Sequence, residues 1–210
     1  PDLPGHAFTE ALPPERCGLE ELATAVTRFL DATGTKPEGI VAHSAGAAMA
    51  LSMILDGRAR PERWAFLAPS LVRPTRGAPP PVIQDLLSPA LQSAGMARLS
   101  AAVAGRRGVV DALLASPGSR VPAASRSIYR RLSGNPAHLG SVLRILSMWE
   151  PEPLAARFPE VTIPGLLLAP ERDGWIPLGE LEPVARSLPA ARFRVLPGLG
   201  HLAHEEAPER

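Results

Sequence analysis

Residues 40–50 run Ile-Val-Ala-His-Ser-Ala-Gly-Ala-Ala-Met-Ala, and no other stretch constrains the fold as sharply. An apolar run, Gly39 to Ala42, stops at His43-Ser44, and small helix-compatible residues follow at once. This is the layout of a strand, a tight elbow and a helix, with Ser44 at the tip. Such an elbow strains the serine backbone and lifts its hydroxyl above the end of the sheet. Small neighbours are needed because strand and helix nearly touch, and Ala42, Ala45, Gly46 and Ala47 meet that need. The pattern is G-x-S-x-G with Ala42 in place of the first glycine, which predicts some crowding. Read alone, the same segment also suits a strand-to-helix turn that binds phosphate or only packs.

The surrounding chain repeats the strand–helix theme. Residues 17–32 place Leu19, Leu22, Ala23, Val26, Phe29 and Leu30 on one helical stripe. Short apolar runs at 39–43, 64–68, 165–169 and 192–196 read as strands, three of them closed by Pro69, Pro170 and Pro197. Helices are predicted at 45–56 and 180–188. Near-continuous apolar strands alternating with helices predict a parallel sheet covered on both faces, an α/β architecture. Between the second and third strands lie roughly 90 residues of another kind. Residues 70–81 are a proline-rich linker, and 82–116 and 123–149 carry helical periodicity. An insertion there sits over the carboxyl ends of the strands, where α/β sheets bind ligands. The expected organisation is a core of residues 1–69 and 159–210 with a helical lid at 70–158. The lid's apolar residues (Leu86, Leu87, Leu91, Met96 and Leu99; Leu143, Leu146, Met148 and Trp149) read as internal packing more than substrate wall.

A serine needs a histidine to take its proton and an acid to orient that histidine. Of five histidines, His201 lies on a glycine-flanked loop (Gly198-Leu199-Gly200-His201) just past the last strand. It is the expected base. His204 opens an acidic helix and reads as a capping or surface residue. His6 and His43 flank the site, and His138 falls on the lid. Asp173 follows the third strand in a turn that brings its carboxylate toward the histidine loop, with Glu171 and Asp111 as rivals. Ala45 N–H, at the helix start, is the first oxyanion donor. His43, Trp149 and Trp175 are expected to touch substrate.

Composition narrows the rest. A net charge of +1, from 22 basic and 21 acidic residues, supplies no field to recruit nucleic acid. No apolar run approaches the ~20 residues of a membrane span. The single cysteine, Cys17, forms no internal disulfide, fits a reducing, cytoplasmic setting and reads as an ordinary free thiol. There is no G-x-G-x-x-G fingerprint and no metal-ligand cluster, so no cofactor is expected. Pro1-Asp2-Leu3-Pro4-Gly5-His6 reads as the exit of a strand, and the chain stops where a helix is due. A piece of a longer protein is therefore expected, with amino-terminal strands and a second oxyanion donor lying before Pro1.

Three segments carry a resemblance: Pro1 to His6, Ala42-His43-Ser44-Ala45-Gly46-Ala47-Ala48, and Gly198-Leu199-Gly200-His201-Leu202-Ala203-His204-Glu205-Glu206. They resemble the α/β-hydrolase superfamily, in which serine, acid and histidine follow one another in the order Ser44, Asp173, His201. The HSAGAA elbow, Asn135 to Leu139 leading into Met148 to Leu154, and GLGHLAHEE are more narrowly similar to BchO-type magnesium-chelatase accessory proteins of bacteriochlorophyll biosynthesis. The resemblance spans nearly the whole chain. It implies a serine hydrolase with a tetrapyrrole-related small-molecule substrate, or a non-catalytic partner of a porphyrin or of chelatase subunits. A general carboxylesterase or carbon–carbon bond hydrolase outside pigment synthesis is the third reading.

Overall fold

The computed structural model describes residues 2–73, 93–116 and 118–210. Four strands form one parallel sheet in the order β1-β2-β3-β4: β1 Gly39–His43, β2 Arg63–Leu67, β3 Gly165–Pro170 and β4 Ala191–Leu196. α1 (Leu19–Ala32) and α2 (Ala45–Leu55) flank β1, and α8 (Leu178–Ser187) joins β3 to β4. These elements match the sequence expectation to within two residues. Proline punctuates three of the strands: Pro69 and Pro197 lie within two residues beyond β2 and β4, and Pro170 is the last residue of β3.

The core forms where β2 and β3 lie between helices. Phe66 and Leu167 are fully buried and Trp64 nearly so. The rings of Trp64 and Phe66 stack at 4.4 Å, and the indole N–H of Trp64 donates to the Ile163 carbonyl at 3.0 Å. Gly165 must be glycine, because a Cβ there would collide with the Trp64 ring. α2 is buried from Ala47 through Ile54, as a helix apolar on all sides must be. The sheet is not covered everywhere. Among the described residues β1 is an edge paired only with β2, and Val41 is 85% exposed there. Beside β1 lies a hollow of about 470 Å³ lined by Leu3, Ile40, Ala42, Met49 and Met53.

Helices α3 (Ala94–Ala104), α4 (Arg107–Ala115), α5 (Ala123–Ser133), α6 (Pro136–Ser147) and α7 (Glu152–Ala155) fall between β2 and β3. Two long helical stretches were expected here. Each is split, and the breakers are visible. Gly105 ends α3 where its α-carbon meets Gly134, leaving no room for a side chain. Gly134 caps α5, and Asn135 starts α6 by accepting from Ala137 N at 3.0 Å and His138 N at 3.4 Å. Most of the linker, the start of the 82–116 helix and Leu86, Leu87 and Leu91 lie outside the described residues. Trp149 and Leu154 belong to the main core, so this end of the insertion is welded to the sheet domain. A smaller core of Val110, Leu114 and Val121 takes in Leu202 from the histidine loop. No helix among the described residues is long and apolar enough to cross a membrane.

Candidate active site

Ser44 terminates β1 and caps α2 with φ 51° and ψ −122°, a left-handed conformation that costs a non-glycine residue on the order of 1–3 kcal/mol. The elbow is pinned on two sides: Ser44 N donates to Leu67 O, and Ser44 O accepts from Ser70 N, both at 3.0 Å. Ala42 does not crowd it. A side chain begun on Gly46 would stand 4.0 Å from the Ala42 Cβ, an ordinary contact, so alanine in place of glycine leaves the turn intact.

His201 follows β4 and is 2% exposed. Its Nδ1 donates to Asp173 Oδ2 at 2.7 Å, and its Nε2 lies 3.0 Å from Ser44 Oγ. With the proton on Nδ1, Nε2 is an acceptor and the serine hydroxyl is the donor. The Asp173 side chain is fully buried, and its other oxygen accepts from Trp175 N at 2.8 Å and Ile176 N at 2.9 Å. Those two bonds fix the carboxylate so that its free oxygen points at the imidazole. The rivals are elsewhere. Glu171 accepts from Gly198 N at 2.8 Å, and Asp111 pairs with Arg126 at 3.5 Å. Ala45 N–H stands at the amino end of α2, beside the hydroxyl.

His43 has a job that composition and spacing concealed. Its Nε2 donates to the His201 carbonyl at 2.9 Å, tying the elbow to the histidine loop. Its ring lies 4.8 Å from that of His201 and 4.5 Å from that of His204. Burial, reinforced by His201, pushes the His43 pKa down to about 4, so this ring is neutral near pH 7. An unfolded chain protonates its histidines near pH 6.5 and therefore binds more protons than the fold between pH 6.5 and 4. The stability due to neutral His43 is thus present above pH 6.5 and lost as pH falls to about 4. His43→Gln keeps a donor and removes the titration. Its urea midpoint should fall less than the wild type's between pH 7 and pH 4.5.

Trp175 places its ring 5.0 Å from His201, is 43% exposed, and donates from Nε1 to Ser116 Oγ at 3.2 Å. It lies at the site, whereas Trp149 is packed in the main core at 8% exposure. His6 and His138 form their own pair at 5.5 Å, with Ala7 N donating to His138 Nδ1 at 3.3 Å. The sequence also concealed how the helical insertion grips the histidine loop. Leu202 N donates to Ser119 Oγ at 2.8 Å, Tyr129 donates its hydroxyl to Glu205, and a Cβ on Gly200 would run into the Gly118 carbonyl. Tyr129 is held above the usual phenol range by burial and by the Glu205 carboxylate. Among the described residues, no three His, Cys, Asp or Glu side chains are grouped to hold a metal ion.

The whole chain, residues 1–210, matches the family model described as "Alpha/beta hydrolase family". It is 30% identical over 209 residues to the "Magnesium-chelatase 30 kDa subunit" of Rhodobacter capsulatus, covering 100% of this chain and 72% of that protein. An alpha/beta hydrolase fold protein from Burkholderia ambifaria superposes with a TM-score of 0.80 at 22% identity, covering 99% of this chain and 75% of that one. An esterase from Exiguobacterium antarcticum gives 0.76 at 16% identity, again covering 99% and 75%.

Proposed function

This chain belongs to the alpha/beta hydrolase family, and on that premise we propose that it is a serine hydrolase of acyl substrates serving tetrapyrrole metalation. The observation that carries the reading is the unbroken relay Ser44 Oγ to His201 Nε2 at 3.0 Å and His201 Nδ1 to Asp173 Oδ2 at 2.7 Å, seated on a strained elbow. In the reaction the Ser44 proton passes to His201 Nε2 as Oγ attacks the acyl carbon. The carbonyl oxygen becomes an oxyanion facing the Ala45 N–H. His201 then returns the proton to the leaving oxygen. A water, deprotonated by the same nitrogen, releases the acyl group from Ser44. Asp173 stays ionised throughout and stabilises the imidazolium. Residues 70–158 act as the lid, and Trp175 forms part of the substrate wall. The tetrapyrrole part of the reading is supported by the name of the Rhodobacter capsulatus relative, a magnesium-chelatase subunit; a cytoplasmic setting fits the free thiol of Cys17.

A fluorophosphonate probe tests the chemistry. Ser44 should be labelled, and His201→Ala should abolish labelling. An unlabelled wild type defeats the hydrolase reading. The relative's name, a chelatase subunit, also favours a second reading in which the chain binds a porphyrin or a chelatase subunit without turnover. A cell carrying only Ser44→Ala separates the two: pigment lost at normal protein level supports hydrolysis, and pigment retained supports binding.

A further inference from the structure

Charge is split unevenly along this chain. Residues 94–147 hold eight arginines and one acid, Asp111, leaving seven positive charges on the insertion and six negative on the remainder. Asp111 is itself taken up by Arg126. Apolar side chains are exposed on the same helices. On α3, Ala97 and Ala101 face inward, and the outer side shows Arg98, Leu99 and Val103, with Arg106 exposed in the turn that follows. On α5, Tyr129 turns toward Glu205, and the far side shows Ile128 and Arg131. Leu99 is 61% exposed and Ile128 is 59%.

We propose that the helical insertion is a docking face for the anionic surface of a lipid bilayer. Leucine, valine and isoleucine on outward helix faces, ringed by arginine, are the footprint of an interfacial element: the aliphatics enter the acyl–headgroup boundary and the guanidinium groups stay with the phosphates. A negative membrane surface attracts each such cation, and the charge on α3 to α6 is of the complementary sign. An acidic protein would share the charge match. It fits the apolar half less well, because protein hot spots favour Trp and Tyr in pockets, and the exposed large side chains of residues 94–147 are aliphatic. The proposal stands apart from the hydrolase reading, since it uses no residue of the triad.

Co-sedimentation with vesicles tests it. The protein should bind phosphatidylcholine vesicles containing about 30% phosphatidylglycerol, ignore pure phosphatidylcholine, and be released by high salt. Arg98→Gln with Arg131→Gln should weaken binding by more than about tenfold, and Leu99→Ser with Ile128→Ser should also weaken it. Unchanged thermal melting in both variants shows that the fold survives. Binding unaltered by either pair overturns the proposal. So does a wild type that ignores anionic vesicles yet is held by immobilised polyglutamate, which would assign the face to an acidic protein.

Discussion

Ser44→Ala is expected to lower kcat on a short-chain ester by on the order of 10⁴–10⁶-fold while leaving the melting temperature unchanged. The hydroxyl donates to His201 and is the attacking group of the proposed reaction, so its loss would remove the nucleophile. The elbow itself is held by backbone bonds to Leu67 and Ser70, which alanine keeps. His201→Ala should reach a similar floor. Asp173→Asn should fall about 10⁴-fold, because the amide keeps an acceptor for Trp175 and Ile176 but no longer sets the imidazole tautomer. Ester hydrolysis by purified variants, with melting curves alongside, reads these outcomes. A Ser44→Ala protein with undiminished turnover would place the chemistry elsewhere.

Gly200→Ala should damage both stability and activity. Its new methyl would press on the backbone of Gly118 and Ser119, where neither side can yield by turning a side chain. Overpacking of this kind costs about 1–3 kcal/mol. The strain falls one residue before His201, and a shift of about 1 Å in a reacting group costs about 100-fold in rate. Urea denaturation and the rate of fluorophosphonate labelling should therefore drop together. Gly179→Ala is the control, since a Cβ there meets nothing within 4 Å and the residue lies in α8. It should leave labelling unchanged and leave stability equal or slightly improved.

The parts legible in the sequence were those whose cause is local. An apolar run punctuated by proline marks a strand whatever surrounds it: β2 and β4 end within two residues of Pro69 and Pro197, and β3 runs one residue further than expected, through Pro170. Ser44, Asp173 and His201 could be picked out because each follows an apolar run at the same sheet edge, and the fold brings the three together. What could not be read were contacts between distant segments. His43 looked like a pocket lining residue, yet its Nε2 is spent on the carbonyl of residue 201. His204 is exposed, as read, but its ring also lies 4.5 Å from that of His43, a contact the sequence did not show. Periodicity alone gave two long helices in the insertion. Among the described residues each stretch is split, at Gly105 and at Gly134-Asn135, where the two glycines approach one another. Trp149 was read both as packing and as a substrate contact; the structure seats it in the core.

Ser119, Tyr129 and Gly118 couple the helical insertion to the histidine loop. They hold the loop that carries His201, by a hydrogen bond to Leu202 N, a hydrogen bond to Glu205 and backbone contact at Gly200. A displacement of the insertion would therefore also withdraw the support of the loop that carries the imidazole. The position of the base is thus tied to the packing of a segment that lies more than 70 residues before it in the chain.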